Sequence, residues 1–112
     1  MVLNRLILIV ATISTPAAAS SIAKAMQDDP ARTFQSSKAL FEVERCIVMA
    51  DMPDAPAVYR SPDRADESLI YYAKSMGRGQ PVIKLRAVGS TVSVTLWHPN
   101  GKGMSENIAA CM

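Results

Sequence analysis

Val82-Ile-Lys-Leu-Arg-Ala-Val88, then Gly89-Ser90, then Thr91-Val-Ser-Val-Thr-Leu-Trp97 is the stretch that decides the fold of this chain. Apolar and polar residues alternate on both sides of Gly89-Ser90, a pattern typical of two strands joined by a tight turn. Glycine in the first position of a two-residue loop favours a type II′ turn. The sequence therefore predicts a hairpin with Val88 opposite Thr91.

This register gives the hairpin one apolar face and one polar face. A shift of one residue would turn the apolar side chains of one strand towards water, so the pattern specifies the pairing. The predicted pairs on the apolar face are Ile83 with Leu96, Leu85 with Val94 and Ala87 with Val92, and those on the polar face are Lys84 with Thr95 and Arg86 with Ser93.

Residues 1–19 have the parts of a cleavable export signal. Arg5 gives the start a positive charge, an apolar run follows at 6–11, and Ala17-Ala18-Ala19 supplies the small residues of a cleavage site. The apolar run is shorter than the roughly 18–20 residues of a transmembrane helix. We expect cleavage after Ala19, with Ala23-Lys24-Ala25 as a poorer site. The mature protein would have no membrane span and would be exported, to the periplasm in a Gram-negative bacterium and otherwise secreted.

Removing 19 of the 112 residues leaves 93, enough for one small domain. We expect a flexible N-terminal arm at 20–33 and a single domain at 34–112. Because Arg5 leaves with the signal, the mature chain has 11 basic and 10 acidic residues. This balance argues against a nucleic acid or an anionic membrane as a partner bound through bulk charge.

A helix is predicted at 34–51 and ends at Met52-Pro53, because the residue before proline avoids the α conformation. Its apolar residues recur at spacings of three and four: Ala39, Leu40, Val43, Ile47 and Ala50. The predicted fold class is α+β, with this one N-terminal helix packed on an antiparallel meander of three to four strands. A short C-terminal element completes the fold.

The remaining segments give weaker patterns. Residues 57–60 predict a short edge strand. Residues 61–76 fit a helix that starts at Ser61-Pro62, but they also contain the β-favouring run Leu69-Ile70-Tyr71-Tyr72. Because an isolated hairpin is only marginally stable, we predict a strand at 68–73. Residues 102–112 fit either a helix or a strand.

The two cysteines predict a structural disulfide. Small exported domains usually pair an even number of cysteines. A bond between Cys46 and Cys111 would tie the helix to the C-terminal element, whereas redox pairs usually have the spacing Cys-x-x-Cys. Closing so long a loop contributes roughly 4 kcal/mol in the chain-entropy model.

Other chemistry-bearing residues give little evidence for a reaction. His98 is the only histidine, so it cannot build a zinc site alone. No Gly-x-Ser-x-Gly nucleophile elbow and no phosphate-binding glycine loop is present. The sequence predicts no catalytic residue, no metal site and no cofactor.

A weak candidate binding face lies on the polar side of the hairpin. Lys84, Arg86 and Trp97 are predicted to share it, and a basic and aromatic sheet face can bind an acidic ligand. The more common interpretation is a solvated face, since antiparallel sheets usually leave one face to water.

These observations favour a small, exported, non-enzymatic module that binds a protein or another envelope component. Two alternatives stay open: a small envelope hydrolase that uses His98 with a serine or an aspartate, and a structural accessory protein with no discrete site. The oligomeric state does not follow from the sequence.

Overall fold

The predicted hairpin lies at the centre of a five-stranded antiparallel sheet. The computed structural model describes residues 17–73 and 79–112. Their elements, in chain order, are α1 (Ala17–Ala25), β1 (Arg32–Ser36), α2 (Leu40–Met49), β2 (Ala57–Tyr59), β3 (Glu67–Tyr71), β4 (Val82–Val88), β5 (Thr91–Trp97) and α3 (Lys102–Ala110). The sheet order is β1-β5-β4-β3-β2. The α+β class is confirmed, with three helices and five strands in these ranges rather than one long helix and three to four strands.

The register of the hairpin is confirmed in full. Val88 lies opposite Thr91, Leu85 opposite Val94 and Val82 opposite Trp97. Gly89 has a φ of 61°, while Ser90 does not have a positive φ. Positive φ at the first loop residue alone is the mark of the predicted II′ turn.

The helix predicted at 34–51 is wrong at its N-terminal end. β1 lies along β5, with Phe34 opposite Val94 and Ser36 opposite Val92, and both β1 side chains are buried. The backbone N–H of Lys38 then donates to Ser36 Oγ at 3.1 Å, which turns the chain before α2 begins at Leu40. A strand therefore precedes the main helix.

The predicted N-terminal arm at 20–33 contains regular structure at both ends. α1 extends to Ala25, and Arg32 and Thr33 are the first residues of β1. The predicted export signal is only partly described: residues 1–16 lie outside the described residues, and Ala17–Ala19 belong to α1. Within the described ranges, no helix combines the length and apolar character needed to cross a membrane.

The strands at 57–60 and 68–73 are confirmed with small changes in their bounds. β2 lies at the edge of the sheet and pairs with β3 alone. Residues 74–76 of the ambiguous stretch lie outside the described residues. The C-terminal segment is a helix, α3.

Two apolar layers cover the two faces of the sheet. On one face, α2 and α3 enclose the main core, whose central members are Val43, Ile47, Ile70, Leu85, Val94, Leu96, Met104 and Ile108. On the other face, the end of α1 covers a smaller core of Ala25, Val82 and Trp97, with Ile22, Met26, Leu69 and Tyr71 partly buried around it.

The predicted disulfide between Cys46 and Cys111 is confirmed, with Cα atoms 5.6 Å apart. It joins α2 to the residue that follows α3. Cys46 is exposed to solvent and Cys111 is buried. The bond thus closes one side of the main core.

Tyr72 is a buried phenol without a hydrogen bond. Its side chain lies in the main core, and its hydroxyl has no partner among the described residues. Burial raises the pKa of Tyr72 to about 12. An unpaired buried hydroxyl costs free energy, because it has lost its hydrogen bonds to water.

Tyr72→Phe is therefore expected to raise the free energy of unfolding by about 1 kcal/mol at neutral pH. The folded-state pKa of Tyr72 lies above its unfolded value. The stability that depends on the neutral phenol is therefore fully present below about pH 10 and is lost as the pH rises towards 12. Urea titrations at pH 8 and pH 11 should show a smaller alkaline loss in the variant. Tyr59→Phe is the control, since Tyr59 is 53% exposed. A destabilised Tyr72→Phe would contradict the unpaired hydroxyl.

Candidate functional site

The register places Lys84, Arg86 and Trp97 on one face of the sheet, as predicted, but Trp97 is buried there. Trp97 is only 7% exposed and packs under the end of α1 with Ala25 and Val82. Its Nε1–H donates to the backbone oxygen of Asp28 at 3.0 Å. Trp97 is therefore a residue of the smaller core, and the face lacks the large exposed apolar group that made it a candidate.

The two basic residues of that face lie on open sheet surface. Lys84 is half-buried, and Arg86 is exposed with its Nε 3.8 Å from Glu67 Oε1. An exposed pair at this distance contributes little to stability.

His98 lies within hydrogen-bond distance of an aspartate. Its Nε2 is 2.7 Å from Asp28 Oδ2, and its side chain is one-third exposed. The ring lies against Gly79, where a Cβ atom would come within 2.5 Å of it. In the described ranges, no serine hydroxyl is hydrogen-bonded to the ring. The pair, together with the Trp97 bond, holds the chain at Asp28 against the end of β5.

The chemistry that sequence reasoning missed is a buried carboxylate on α2. Glu44 is 4% exposed. Its Oε1 accepts from Arg60 Nε at 3.1 Å and from Ser68 Oγ at 2.7 Å, and its Oε2 accepts from Arg60 Nη2. These bonds join α2 to β3 and to the residue that follows β2.

The carboxylate of Glu44 stays ionised in this position. Burial acts most strongly and favours the neutral acid, but the hydrogen bonds from Arg60 and Ser68 and the charge of Arg60 together outweigh it. The result is a lowered pKa for Glu44. Since a buried charge needs such partners, the three side chains form a fixed unit.

Glu44 and Arg60 of this unit line a groove between α2 and β2. The groove has a volume of about 570 Å³. Its lining residues are Phe41, Glu44, Arg45, Val48, Val58 and Arg60, and we call it the α2–β2 groove. A second cavity of about 350 Å³ shares Phe41, Glu44 and Arg60 with it and continues towards Arg64 and Glu67.

The groove exists because the helical layer is narrower than the sheet. α2 packs mainly over β3 and β4, and the edge strand β2 is less covered. Val58 shares this side with its cross-strand neighbour Ile70, but Ile70 is fully buried and Val58 is 41% exposed.

Two large exposed apolar side chains, Phe41 and Val58, line this opening, and a third, Met49, lies further along α2 outside its lining. Phe41 is 62% exposed and Met49 is 78% exposed, both on α2. Together with Val58 they account for three of the five large apolar residues that are exposed in the described ranges. Exposed apolar residues that line a groove, as Phe41 and Val58 do, are a mark of an interaction surface.

Arg45 is the charged residue of the groove lining whose charge is not matched by an ion pair in the part of the chain that the structure describes. It lies on α2 between Phe41 and Val48, it is exposed, and it forms no ion pair within the described residues. The charge of Arg60, by contrast, is matched by Glu44. The groove therefore combines apolar walls with one free positive charge.

No cluster of three or more histidine, cysteine, aspartate or glutamate side chains suited to a metal ion occurs in residues 17–73 and 79–112. The comparisons with known proteins gave no match to a family model, to a curated protein or to a solved structure.

Proposed function

We propose that this protein is an exported, non-enzymatic module that binds another protein through the α2–β2 groove. The observation that carries the proposal is the pair of exposed apolar side chains, Phe41 and Val58, that line a groove together with the Glu44–Arg60 ion pair. The fixed Glu44–Arg60–Ser68 unit keeps the groove in shape, while Phe41, Val48 and Val58 supply apolar area that a partner could cover. In protein interfaces a few side chains that become buried on binding contribute most of the binding energy.

Export rests on the signal-like start and is supported by the disulfide. Bonds of this kind persist in the periplasm and outside the cell. If the signal is cleaved after Ala19, N-terminal sequencing of protein recovered from the periplasm or the medium should begin at Ser20. Full-length chain recovered only from the cytoplasm would contradict export.

A site-specific photo-crosslinker tests the groove directly. A benzophenone amino acid in place of Phe41 should give a protein adduct in the envelope fraction of the producing cells. The same probe in place of Val88 is the matched control, because Val88 is 56% exposed but lies at the hairpin turn. Both positions are exposed, so neither change should disturb the fold.

The proposal requires an adduct at position 41 that is weaker or absent at position 88. The adduct should also disappear when Val58→Ser is added, since Val58 lines the same groove. Equal adduct yields at positions 41 and 88 would show that the crosslinking is non-specific. No adduct at position 41 would contradict a groove partner and favour the structural accessory protein.

A hydrolase is a second candidate because of the 2.7 Å contact between His98 Nε2 and Asp28. This pair could orient a general base, but it would need a nucleophile next to the ring. A fluorophosphonate probe labels activated serines. Labelling that disappears in His98→Gln would favour the hydrolase over the binding module, and we expect no labelling.

A further inference from the structure

The edge strand beside the α2–β2 groove is poorly suited to pair with another strand. β2 has only three residues, Pro56 precedes it, and Pro62 follows closely. Short strands flanked by proline protect a sheet edge from strand addition. A partner in this groove must therefore bind mainly through side chains.

The α2 wall of the groove has the spacing that suits a helical partner. Phe41, Arg45 and Val48 are four and three residues apart, so they form one stripe along the helix. Val58 lines the opposite wall, on the sheet. An amphipathic helix in such a groove inserts apolar side chains at the same spacing.

The charge on this stripe argues against a second copy of the chain as the occupant. Arg45 is midway between Phe41 and Met49, the two most exposed apolar residues of α2. A symmetric antiparallel pair of α2 helices in which Phe41 meets Met49 is centred on Arg45, so Arg45 would meet its own counterpart. A symmetric parallel pair also brings the two Arg45 side chains together. Like charges in contact oppose such a dimer.

From this placement we infer that the α2–β2 groove binds an amphipathic helix of a different protein, with a carboxylate of that helix next to Arg45. The inference rests on the proposed function and adds the chemistry of the partner. The apolar side of the helix covers Phe41, Val48 and Val58. Its acidic residue neutralises the one groove charge that has no partner in the described part of the chain.

Two synthetic helical peptides test this inference. Each has about 14 residues, roughly 20 Å of helix, with a leucine stripe at spacings of three and four. One peptide has glutamates along the border of the stripe and the other has lysines. Fluorescence anisotropy with the mature protein should show that the glutamate peptide binds at least about tenfold more tightly, which corresponds to about 1.4 kcal/mol.

Variants of the protein locate this preference. Arg45→Glu should reverse it, whereas Lys84→Glu, with the same change of charge on the other face of the sheet, should leave it unchanged. Phe41→Ser and Val58→Ser should each weaken the binding of both peptides by about tenfold or more. A circular dichroism melt confirms that each variant is folded.

Several results would overturn the inference. They are a preference that survives Arg45→Glu, equal binding of both peptides, and no binding of either at millimolar concentration. Equal binding of a glutamate peptide with a central proline would show that a helix is not required. Dimerisation that Phe41→Ser abolishes would show that a second copy occupies the groove. The crosslink at position 41 can persist although the preference survives Arg45→Glu, both peptides bind equally, or neither binds. In that case the proposed function stands and the inferred chemistry of the partner is wrong.

Discussion

Leu85→Ala is expected to lower the free energy of unfolding by about 2–5 kcal/mol, measured by urea titration. Leu85 is fully buried in the main core, in the central strand β4. Removing its outer methyl groups opens a cavity between the sheet and the helices, and the packed neighbours can fill it only in part. A small domain has a total stability of about 5–15 kcal/mol, so this loss is large.

Lys84→Ala is the control for this prediction. Lys84 is the neighbour of Leu85 in the chain, but its side chain is on the opposite face of the sheet. It is only half-buried and forms no ion pair in the described ranges. A change of no more than about 0.5 kcal/mol is expected. Equal losses from Lys84→Ala and Leu85→Ala would contradict the placement of Leu85 in the main core and of Lys84 outside it, on the opposite face.

Cys46→Ser is expected to lower the free energy of unfolding by about 2–4 kcal/mol. The disulfide closes a loop with a sequence separation of 65 residues, which limits the freedom of the unfolded chain. Cys46 is the better position for the test, because it is exposed and a serine hydroxyl there stays in contact with water. Thermal melts with and without reductant provide the measurement.

The double variant Cys46→Ser/Cys111→Ser separates the effect of the disulfide from the effect of placing a hydroxyl at each position. Cys111→Ser also places a hydroxyl in the core, so it should destabilise more than Cys46→Ser. If the bond is the main contribution of Cys46, the double variant should match Cys111→Ser alone. In reductant, wild type and Cys46→Ser should melt together. An unchanged wild-type melt in reductant would contradict the role of the bond.

The central part of the fold was predictable because its information is local. In β4 and β5 the alternation of apolar and polar residues specifies both faces, and Gly89 specifies the turn. β3 followed from its run of β-favouring residues and from the need for a third strand. The disulfide followed from parity and compartment. All these inferences use neighbouring residues or general constraints.

β1 was missed because its partner is distant in the sequence. Arg32–Ser36 buries only Phe34 and Ser36, which is a weak alternation beside the strong helical stripe that follows. The strand is stabilised by pairing with β5, and by such contacts as Arg32 Nη1 to Ser105 Oγ at 2.9 Å. Local propensity cannot represent this non-local pairing.

The groove was missed for a related reason. The sequence pattern placed Glu44 outside the apolar stripe, where a charged residue is usually solvated. Only the fold brings Arg60 and Ser68, which are 16 and 24 residues away, to its carboxylate. The three hydrogen bonds to this carboxylate make the burial of Glu44 possible, and no rule based on residue spacing in the sequence predicts them. The exposure of Phe41 similarly depends on how far α2 extends over the sheet.

The covalent link between α2 and the C-terminus also determines how tension would pass through the molecule. A force applied to the two ends would act on the chain before Cys46 and then cross the disulfide directly to Cys111. Strands β2 to β5 lie inside the closed loop and would carry load only through non-covalent contacts with the segment before Cys46, such as the pairing of β5 with β1. Reduction would add the 65-residue loop to the extensible chain, about 230 Å of extra length in a single-molecule pulling experiment. In the oxidised protein the extensible chain is thus mainly the segment before Cys46, and strands β2 to β5 lie outside the direct path of the force.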